Sequence, residues 1–353
     1  MKTLHRVMYG DSARVLKEVP PESVDLVVTS PPYPMVEMWD ELFGHQDRRI
    51  KSLLEKGEGD GAQKAMHESL DMVWRSLDPK MKRGSMACIN VGDSTRTMSG
   101  SFKLYPNHAR VISSMTALGY DALPEILWRK RSNKPNKFLG SGMLPAGAYV
   151  TQEHEYILIF RKGGKREFLT GPEKAARSRS AYFWEERNSW FSDVWDDVRG
   201  ERQGLGAKGP RARSGAYPFE LAYRLVSMFS VRGDTVLDPF AGTAVTTLAA
   251  IAGGRNSTSI EVDGEFRESV ERRVLGCAEE VNEHNLLRLK RHLSFAEKKG
   301  GLRYRNEVYG FPVMTRQETA LELPLVSSVK KVSPGTFEVQ YSDEGFRLDL
   351  VRD

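Results

Sequence analysis

The amino-acid sequence predicts an α/β fold in which helices cover both faces of a doubly wound, mostly parallel sheet. Continuous apolar runs at 24–28 and 156–160 are typical of strands that are buried on both faces of such a sheet. Two predicted strands end directly at a turn, at Gly10-Asp11 and at Gly92-Asp93. Strands therefore alternate with turns and helices over most of the chain, which is the pattern of a doubly wound sheet.

The individual elements follow in chain order. Ser12 is expected to cap the first helix, which runs through Val19. Helical patterning covers 40–77, with a loop predicted at 57–61, where glycine is frequent. The predicted strands are 6–9, 24–28, 86–91, 125–128, 156–160, 235–237 and 257–262. The other predicted helices are 104–118, 216–229 and 246–252, and helix then dominates from the last strand to about Lys299.

Three segments depart from this alternation. Residues 130–149 are rich in Lys, Asn, Gly and Pro and are expected to form a long loop, which in a compact domain is usually functional or disordered. Residues 163–215 mix Gly, Arg and Ser with aromatic residues and are expected to be irregular. The tail at 300–353 has short alternating runs and predicts a small β-rich appendage to a large domain at 1–299.

The composition restricts the class of protein. Lys and Arg outnumber Asp and Glu by 52 to 47, and the net charge of +5 is compatible with a polyanionic partner. No apolar run reaches about eighteen residues and the first residues lack the apolar core of a signal peptide, so we expect no membrane span and a cytoplasmic location. With only Cys88 and Cys277, a disulfide framework and a four-ligand zinc site are excluded, and no metal is expected.

The first chemically informative segment is 238–244, Asp-Pro-Phe-Ala-Gly-Thr-Ala, between a predicted strand and a predicted helix. In a doubly wound sheet a nucleotide-like ligand lies against such a turn, and Gly242 would let the backbone approach it closely. Glu261 ends the next strand, where an acidic side chain accepts hydrogen bonds from ribose hydroxyls. The spacing favours an adenosine-containing cofactor, although a glycine turn also occurs simply to start a helix.

The second segment is 29–33, Thr-Ser-Pro-Pro-Tyr, directly after the buried strand. It could be a polyproline turn that only ends the strand. An exocyclic base amine is a poor nucleophile because its lone pair is delocalised into the ring, so an enzyme needs acceptors for both N–H groups. The Ser30 hydroxyl and the Pro31 carbonyl could supply them, Pro31 and Pro32 stiffen the backbone without adding donors, and a flipped base could stack on Tyr33.

Together these motifs resemble the amino-group DNA methyltransferases of the beta arrangement. In that family the Ser/Asp-Pro-Pro-Tyr motif precedes the Asp-Pro-Phe-x-Gly-x-Gly motif, a circular permutation of the usual order, as 30–33 precedes 238–244 here. The similarity includes 90–94 and 152–160 and covers about 5–275. It implies a permuted, Rossmann-like S-adenosylmethionine-dependent methyltransferase sheet at 1–299, with insertions for DNA recognition.

The resemblance also implies roles for individual residues. Those implied in catalysis are Ser30, Pro31, Pro32 and Tyr33. Those implied in binding S-adenosylmethionine are Asp11, Tyr217, Pro218, Phe219, Asp238, Phe240, Ala241, Gly242, Thr243, Ala244 and Glu261. Ala244 replaces the usual second glycine, a tolerable change because this cofactor has no pyrophosphate. Neither cysteine follows a proline, which argues against the covalent carbon-five methyltransferases, and His154 is expected to be structural.

Double-stranded DNA is the expected partner. The cationic segment around 129–137 is either a solvated loop or a phosphate-binding one, through Lys130, Arg131, Lys134 and Lys137. By resemblance, the target-recognition region is first sought at 163–215 and second in the tail after Leu302. The sequence leaves open whether a cognate restriction endonuclease accompanies the protein, and it leaves monomer and homodimer open as well.

The nature of the target base is a separate prediction. Family members with Ser before Pro-Pro-Tyr mostly methylate cytosine N4, and those with Asp mostly methylate adenine N6, so Ser30 favours cytosine with adenine as the alternative. Ser30 could in addition donate its proton to the cytosine ring nitrogen beside the amine. A methyltransferase of RNA or small molecules would have little reason for the cationic loop and the aromatic-rich insertion. A DNA-binding module without activity would not need 30–33.

Overall fold

A computed structural model of the protein describes residues 1–130, 139–200 and 217–346. Its strands are β1 (Lys2–Tyr9), β2 (Val24–Thr29), β3 (Met81–Val91), β4 (Ser94–Met98), β5 (Ser101–Tyr105), β6 (Tyr120–Arg129), β7 (Leu139–Gly140), β8 (Ala148–Tyr149), β9 (His154–Lys162), β10 (Val194–Trp195), β11 (Thr235–Asp238), β12 (Asn256–Glu261), β13 (Tyr304–Arg305), β14 (Pro312–Val313), β15 (Val326–Ser333) and β16 (Thr336–Tyr341). Its helices are α1 (Ser12–Val15), α2 (Asp40–Gln46), α3 (Arg48–Glu55), α4 (Gly59–Leu77), α5 (Asn107–Ala117), α6 (Gly171–Arg179), α7 (Trp184–Trp190), α8 (Phe219–Phe229), α9 (Val245–Gly253), α10 (Arg267–Leu275) and α11 (Ala278–Lys299). None of these helices is long and apolar enough to cross a membrane.

Ten strands form one central sheet in the order β10-β6-β9-β3-β2-β11-β12-β1-β16-β15. The five neighbours from β3 to β1 are all parallel. Strand β9 is antiparallel to both of its neighbours, β3 and β6, and β10 is parallel to β6. The centre of the sheet is thus parallel, as predicted, and antiparallel pairs flank it on both sides, at β9 and at β16.

Helices pack on both faces of this sheet, which is therefore doubly wound. Alternate residues of each strand enter opposite cores because successive side chains of a strand point to opposite faces. In β2, for example, Val28 packs with residues of α8 and α9, whereas Val27 packs with residues of α4 and α5. Burial on both sides explains why β2 is an uninterrupted buried run.

The topology brings four loops to one edge of the sheet. The parallel strands β2, β3 and β11 all end at this edge, and the antiparallel strand β9 begins there. The two motifs at 29–33 and 238–244 follow adjacent strands, β2 and β11, so they lie side by side although about two hundred residues separate them. In an open α/β sheet this carboxyl edge is where ligands bind.

Two local predictions in the first third of the chain are wrong. The first helix is capped by Asp11 and not by Ser12, because the Asp11 carboxylate accepts a hydrogen bond from the Ala13 N–H at 2.8 Å. The Ser12 hydroxyl instead donates to the Pro239 carbonyl, at 2.5 Å. The predicted glycine loop at 57–61 is shorter, since α4 already begins at Gly59.

Two further stretches contain more regular structure than expected. The hairpin of β4 and β5 precedes α5, where the sequence predicts a helix from 104. The stretch 163–215, predicted to be irregular, contains α6, α7 and β10 in its described part. Helix α6 has a capping box formed by Thr170 and Glu173 but buries none of its residues, so no apolar periodicity reveals it in the sequence.

The C-terminal tail contributes to the central sheet. Strands β15 and β16 form a hairpin, as the alternating pattern predicts, and β16 pairs with β1. A separate apolar cluster joins Phe311 and Leu321 of the tail to Leu289 of α11 and Phe183 of the loop before α7. The division into domains at 299 stays a prediction, but the β hairpin is hydrogen-bonded to the sheet of the larger part.

Candidate active site

One cavity of about 690 Å³ opens at the carboxyl edge of the sheet and joins both predicted motifs. Most of the residues that the sequence predicts for catalysis or cofactor binding contribute to its wall, together with Pro239, Glu155 and Phe266. The predicted residues in the wall are Ser30, Pro31, Pro32, Tyr33, Asp11, Tyr217, Phe240, Ala241, Gly242, Thr243 and Glu261. The cavity is therefore a single site with two chemically different ends.

Asp238 holds the two motifs together from below the cavity. Its carboxylate is 1% exposed and does not line the wall. It accepts hydrogen bonds from the hydroxyls of Thr29 (2.6 Å), Thr246 (2.7 Å) and Tyr217 (3.1 Å) and from the Phe240 N–H (3.0 Å). Burial raises the pKa of this carboxyl, and the four donors counteract that shift. Since Thr29 directly precedes the catalytic motif, Asp238 fixes the spacing between the two loops.

The turn at 238–244 requires left-handed backbone at two positions. Gly242 has φ of +49°, and a Cβ built on it would meet no protein atom within 4 Å. Glycine there leaves open space beside the cavity wall, as a closely approaching ligand requires. Ala244, at φ of +62°, is also left-handed and caps α9. This conformation explains why glycine is the usual residue at this position, since a Cβ in it costs about 1 to 2 kcal/mol.

The acidic residues Glu261 and Asp11 lie at the end of the cavity formed by β12 and β1. Glu261 ends β12, as predicted, and its carboxylate accepts hydrogen bonds from the N–H groups of Gly242 (2.7 Å) and Asp263 (2.9 Å). Asp11 follows β1, which is parallel to β12, so both carboxylates line one end of the wall. The half-buried ring of Phe266 supplies an apolar surface beside them.

Of the remaining residues that are predicted to bind the cofactor, only some line the wall of the cavity. Tyr217 lines the cavity and is buried, which raises its pKa well above the usual value and keeps its hydroxyl neutral. Pro218 caps α8, and Phe219 stacks on Tyr223 with ring centroids 5.7 Å apart. Pro218, Phe219 and Ala244 do not contribute to the cavity wall.

At the other end of the cavity, Ser30 and Tyr33 belong to a hydrogen-bond network. The Ser30 Oγ lies 3.0 Å from the Tyr33 hydroxyl, which donates to Glu155 Oε2 at 2.9 Å. The Asn90 amide nitrogen donates to the same carboxylate oxygen at 2.7 Å and to the Tyr33 hydroxyl at 2.8 Å. Lys130 completes the network through an ion pair with Glu155.

This network fixes the direction of the Ser30 hydroxyl. Tyr33 has a single proton, which it donates to Glu155, and burial raises its pKa far enough to keep that proton on the ring oxygen. The Ser30 hydroxyl must then be the donor in its bond to Tyr33, because a phenol oxygen that has used its proton can only accept. The lone pairs of Ser30 Oγ are thereby left for a donor from the cavity, apart from a long 3.4 Å contact to Asn90.

The ring of Tyr33 is positioned by a second constraint. It packs against Gly92, where an added Cβ would lie 2.9 Å from the ring. Gly92 follows β3, and Glu155 lies in the neighbouring strand β9, so residues from two strand ends hold the aromatic side chain. The predicted catalytic tyrosine is therefore fixed at both its ring and its hydroxyl.

The sequence interpretation missed two members of this network, Asn90 and Glu155. Both lie in segments that resemble the family, but neither stood out as functional. The signal in the sequence is an acidic residue at the start of an apolar strand: Glu155 is the second residue of β9, and the antiparallel direction of β9 in the structure brings its first residues to the carboxyl edge. His154, which the sequence predicts to be structural, packs edge-on against Tyr156, with ring centroids 4.9 Å apart.

The cationic loop is described only in part. Lys130 lines the cavity, pairs with Glu155 and lies 4.5 Å from the centre of the Trp128 ring. The phosphate contact predicted for Lys130 would therefore compete with this ion pair. Arg131, Lys134 and Lys137 lie outside the described residues.

Comparisons with known proteins agree with the fold and show the family. A family model described as DNA methylase, N6_N4_Mtase, matches residues 24–272. The type II methyltransferase M.MthZI of Methanothermobacter thermautotrophicus is 48% identical over 344 residues, which are 97% of this chain and 96% of that protein. The type II methyltransferase M.MjaI of Methanocaldococcus jannaschii is 47% identical over 283 residues, or 77% of this chain and 91% of that protein.

Solved structures show the same architecture. TTHA0409 of Thermus thermophilus, in complex with S-adenosyl-L-methionine, is 33% identical, with a TM-score of 0.58 over 76% of this chain and 94% of that one. The PvuII DNA methyltransferase (cytosine-N4-specific) is 18% identical, covers 80% of this chain and 92% of its own, and shares the fold with a TM-score of 0.54. The predicted methyltransferase fold and the family resemblance are both confirmed. The chain belongs to the N6/N4 DNA methylase family.

Proposed function

We propose that the protein transfers a methyl group from S-adenosylmethionine to the N4 amine of cytosine in duplex DNA, with the N6 amine of adenine as the alternative. The observation that carries this proposal is the single cavity in which Gly242 and Glu261 face one end and Ser30 and Tyr33 the other. A methyl donor and a flipped base need to meet in one space, because the transfer is direct. Two unconnected sites would not support this reaction.

The cavity fits S-adenosylmethionine in size and in chemistry. Its volume of about 690 Å³ lies in the range of small-molecule sites. Glu261 and Asp11 offer carboxylate acceptors for the hydroxyl and amino groups of adenosine, and Phe240 and Phe266 offer apolar faces. The open space beside Gly242 admits a ligand against the backbone. When bound, this cofactor supplies an electrophilic methyl group on a sulfonium.

Neutralising the acidic end should weaken cofactor binding selectively. We expect Glu261→Gln to lower the affinity for S-adenosylmethionine by about tenfold, because hydrogen bonds to a charged acceptor are stronger than those to a neutral one by roughly 1.4 kcal/mol. Glu265→Gln is the matched control, since Glu265 is exposed and does not line the cavity. Calorimetric titration would measure both variants, and equal affinities would contradict this placement of the cofactor.

Ser30 and the Pro31 carbonyl serve in this proposal as acceptors for the two N–H groups of the target amine. The orientation of Ser30 supports such a role, since its proton is directed to Tyr33 and its lone pairs are left for the amine. Acceptors on both N–H groups favour a pyramidal nitrogen whose lone pair is available. The cationic product amine is acidic enough to lose its proton to water, so no general base is required.

The choice of cytosine rests on the residue type at position 30. Ser at this position is associated with cytosine N4 in the family, and a neutral acceptor distinguishes this site from the Asp-containing ones. The hydrogen bond from Ser30 to Tyr33 uses the proton that was expected to reach the cytosine ring nitrogen. The preference for cytosine is therefore proposed on the family pattern and not on that additional bond.

The type II names of the relatives motivate a proposal about partners. We propose that this protein acts together with a restriction endonuclease of the same sequence specificity. Methylation of the shared DNA site would prevent cleavage by that endonuclease. Duplex DNA is the proposed substrate, with phosphate contacts from the cationic residues between 129 and 137 and sequence recognition in the segment 163–215.

One assay tests the function and identifies the base. Purified protein is incubated with unmethylated plasmid DNA and tritiated S-adenosylmethionine, with RNA and free nucleosides as the other substrates. We expect label in duplex DNA, and nucleoside mass spectrometry should identify N4-methylcytosine. N6-methyladenine as the sole product would favour the alternative base. Label only in RNA or nucleosides would overturn the proposed substrate.

A further inference from the structure

The hairpin of β7 and β8 carries an apolar tip and lies in the segment that joins the end of β6 to the start of β9. We propose that Met143 and Leu144 at this tip insert into the DNA duplex and fill the space that the target base vacates. The inference rests on the proposed function, because only an enzyme that acts on a base inside a duplex must extract that base from the stack. It assigns to these residues a positioning role outside the reacting groups.

The position of the hairpin follows from the topology. The segment leaves the sheet at the end of β6 and returns at the start of β9, and both points lie at the carboxyl edge. Lys130, directly after β6, and Glu155, the second residue of β9, both line the cavity. The segment that carries the hairpin is therefore attached at both of its ends to residues of the cavity wall.

The exposure of the tip is unusual for its residue types. Met143 is 88% exposed and Leu144 is 70% exposed. Scattered apolar residues on a surface are ordinary, but two adjacent ones at a loop tip beside an active site form a small protruding patch. Met and Leu are among the side chains that proteins insert between base steps.

The base of the hairpin is held although its tip is exposed. Ser141 donates through its N–H to the Gly147 carbonyl (2.8 Å) and through its hydroxyl to the Leu144 carbonyl (2.6 Å). Tyr149 stacks on Phe102 of β5, with ring centroids 4.7 Å apart. Gly140 permits the tight pairing, because a Cβ there would lie 2.1 Å from the Gly147 carbonyl oxygen. The two apolar side chains are thus presented on a supported turn.

The charge of the surrounding sequence selects nucleic acid as the occupant. From Arg129 to Val150 the sequence contains five Lys or Arg residues and no Asp or Glu. All five cations precede the tip in the chain, and in this proposal they contact phosphates while the apolar tip meets the stacked bases. This combination matches a duplex whose backbone is bound and whose stack is opened at one position.

The test compares Met143→Ala/Leu144→Ala with Leu169→Ala. Leu169 is 73% exposed but lies beyond the opposite end of β9, so its variant controls for the loss of an exposed leucine. The methylated site is first mapped by sequencing plasmid DNA treated with the wild-type protein. Two short synthetic duplexes then carry that site, one fully paired and one with an abasic position opposite the target base.

We expect the double variant to lower kcat/KM by about 10- to 100-fold on the paired duplex and to be close to wild type on the abasic one. The reason is that an unpaired base needs less help to leave the stack. Leu169→Ala should match wild type on both. Unchanged activity of the double variant on the paired duplex, or an equal loss on both duplexes, would overturn the insertion of Met143 and Leu144 into DNA. Methylation by the wild type would in that case still support the proposed function. Absence of methylation by the wild type on any DNA would overturn both proposals.

Discussion

Replacement of Ser30 by alanine is expected to lower kcat by about 100-fold with little change in the affinity for S-adenosylmethionine. The variant removes an acceptor that, in the proposed mechanism, interacts most strongly with the amine as positive charge develops on it. Removal of one such preorganised group typically costs about 100- to 1000-fold in kcat. Ser30 lies at the end of the cavity opposite Glu261, so cofactor binding should not depend on it. Single-turnover methylation at saturating DNA would give the rate, and calorimetry the cofactor affinity.

A second variant separates the role of Ser30 from that of its neighbours. Tyr33→Phe keeps the ring but removes the oxygen that accepts the Ser30 proton. We expect a smaller decrease in kcat, of about tenfold, because Ser30 Oγ is still present but its proton is no longer directed away from the amine. Larger loss in Tyr33→Phe than in Ser30→Ala would contradict the assignment of Ser30 as the acceptor.

Replacement of Asp238 by alanine is expected to lower the free energy of unfolding by about 2 to 4 kcal/mol. The sequence alone suggests a contact with the cofactor, but the carboxylate is buried below the cavity and accepts four hydrogen bonds. Its removal leaves those donors without their acceptor, and each buried unsatisfied group typically costs about 1 to 3 kcal/mol, although hydroxyls can reorient. The Phe240 N–H cannot reorient. Urea unfolding followed by circular dichroism would measure the change.

Comparison with Glu261→Gln decides whether Asp238 is a ligand or a support. Glu261 lines the cavity, so its variant should lose affinity, and because Gln keeps one acceptor oxygen for the two backbone N–H groups, its midpoint of unfolding should fall less than that of Asp238→Ala. Asp238→Ala should instead lose much of its stability, and its cofactor affinity should fall only because the two loops separate. A stable Asp238→Ala protein with weakened cofactor binding would restore the interpretation of Asp238 as a direct ligand.

Sequence reasoning located both ends of the site because each depends on a local motif. Ser30 and Gly242 each follow a strong apolar strand, and strand ends in a parallel sheet define the ligand edge. The adjacency of the two motifs was not predicted and is shown by the structure, in which they follow the neighbouring strands β2 and β11. The prediction of each motif needed only its local sequence.

The rest of the site depends on tertiary contacts that no local pattern encodes. Glu155 meets Tyr33 across 122 positions in the sequence, and Asn90 meets Tyr33 across 57. Helix α6 was missed because it has no buried face, and the cap of the first helix was misplaced because Asp11 and Ser12 are equally good capping residues. In each case the structure depends on a residue that is distant in the sequence or on a single hydrogen bond.

The position of β1 inside the sheet has a consequence for how the chain folds. This strand precedes both of its partners in the chain, β12 and β16, whose residues pair with it across about 250 and 335 positions. Contacts of such high sequence separation form slowly, because a long loop must close before they stabilise the chain. During translation, β1 would therefore stay unpaired until β12 and β16 have left the ribosome. We infer that refolding is limited by the docking of this first strand.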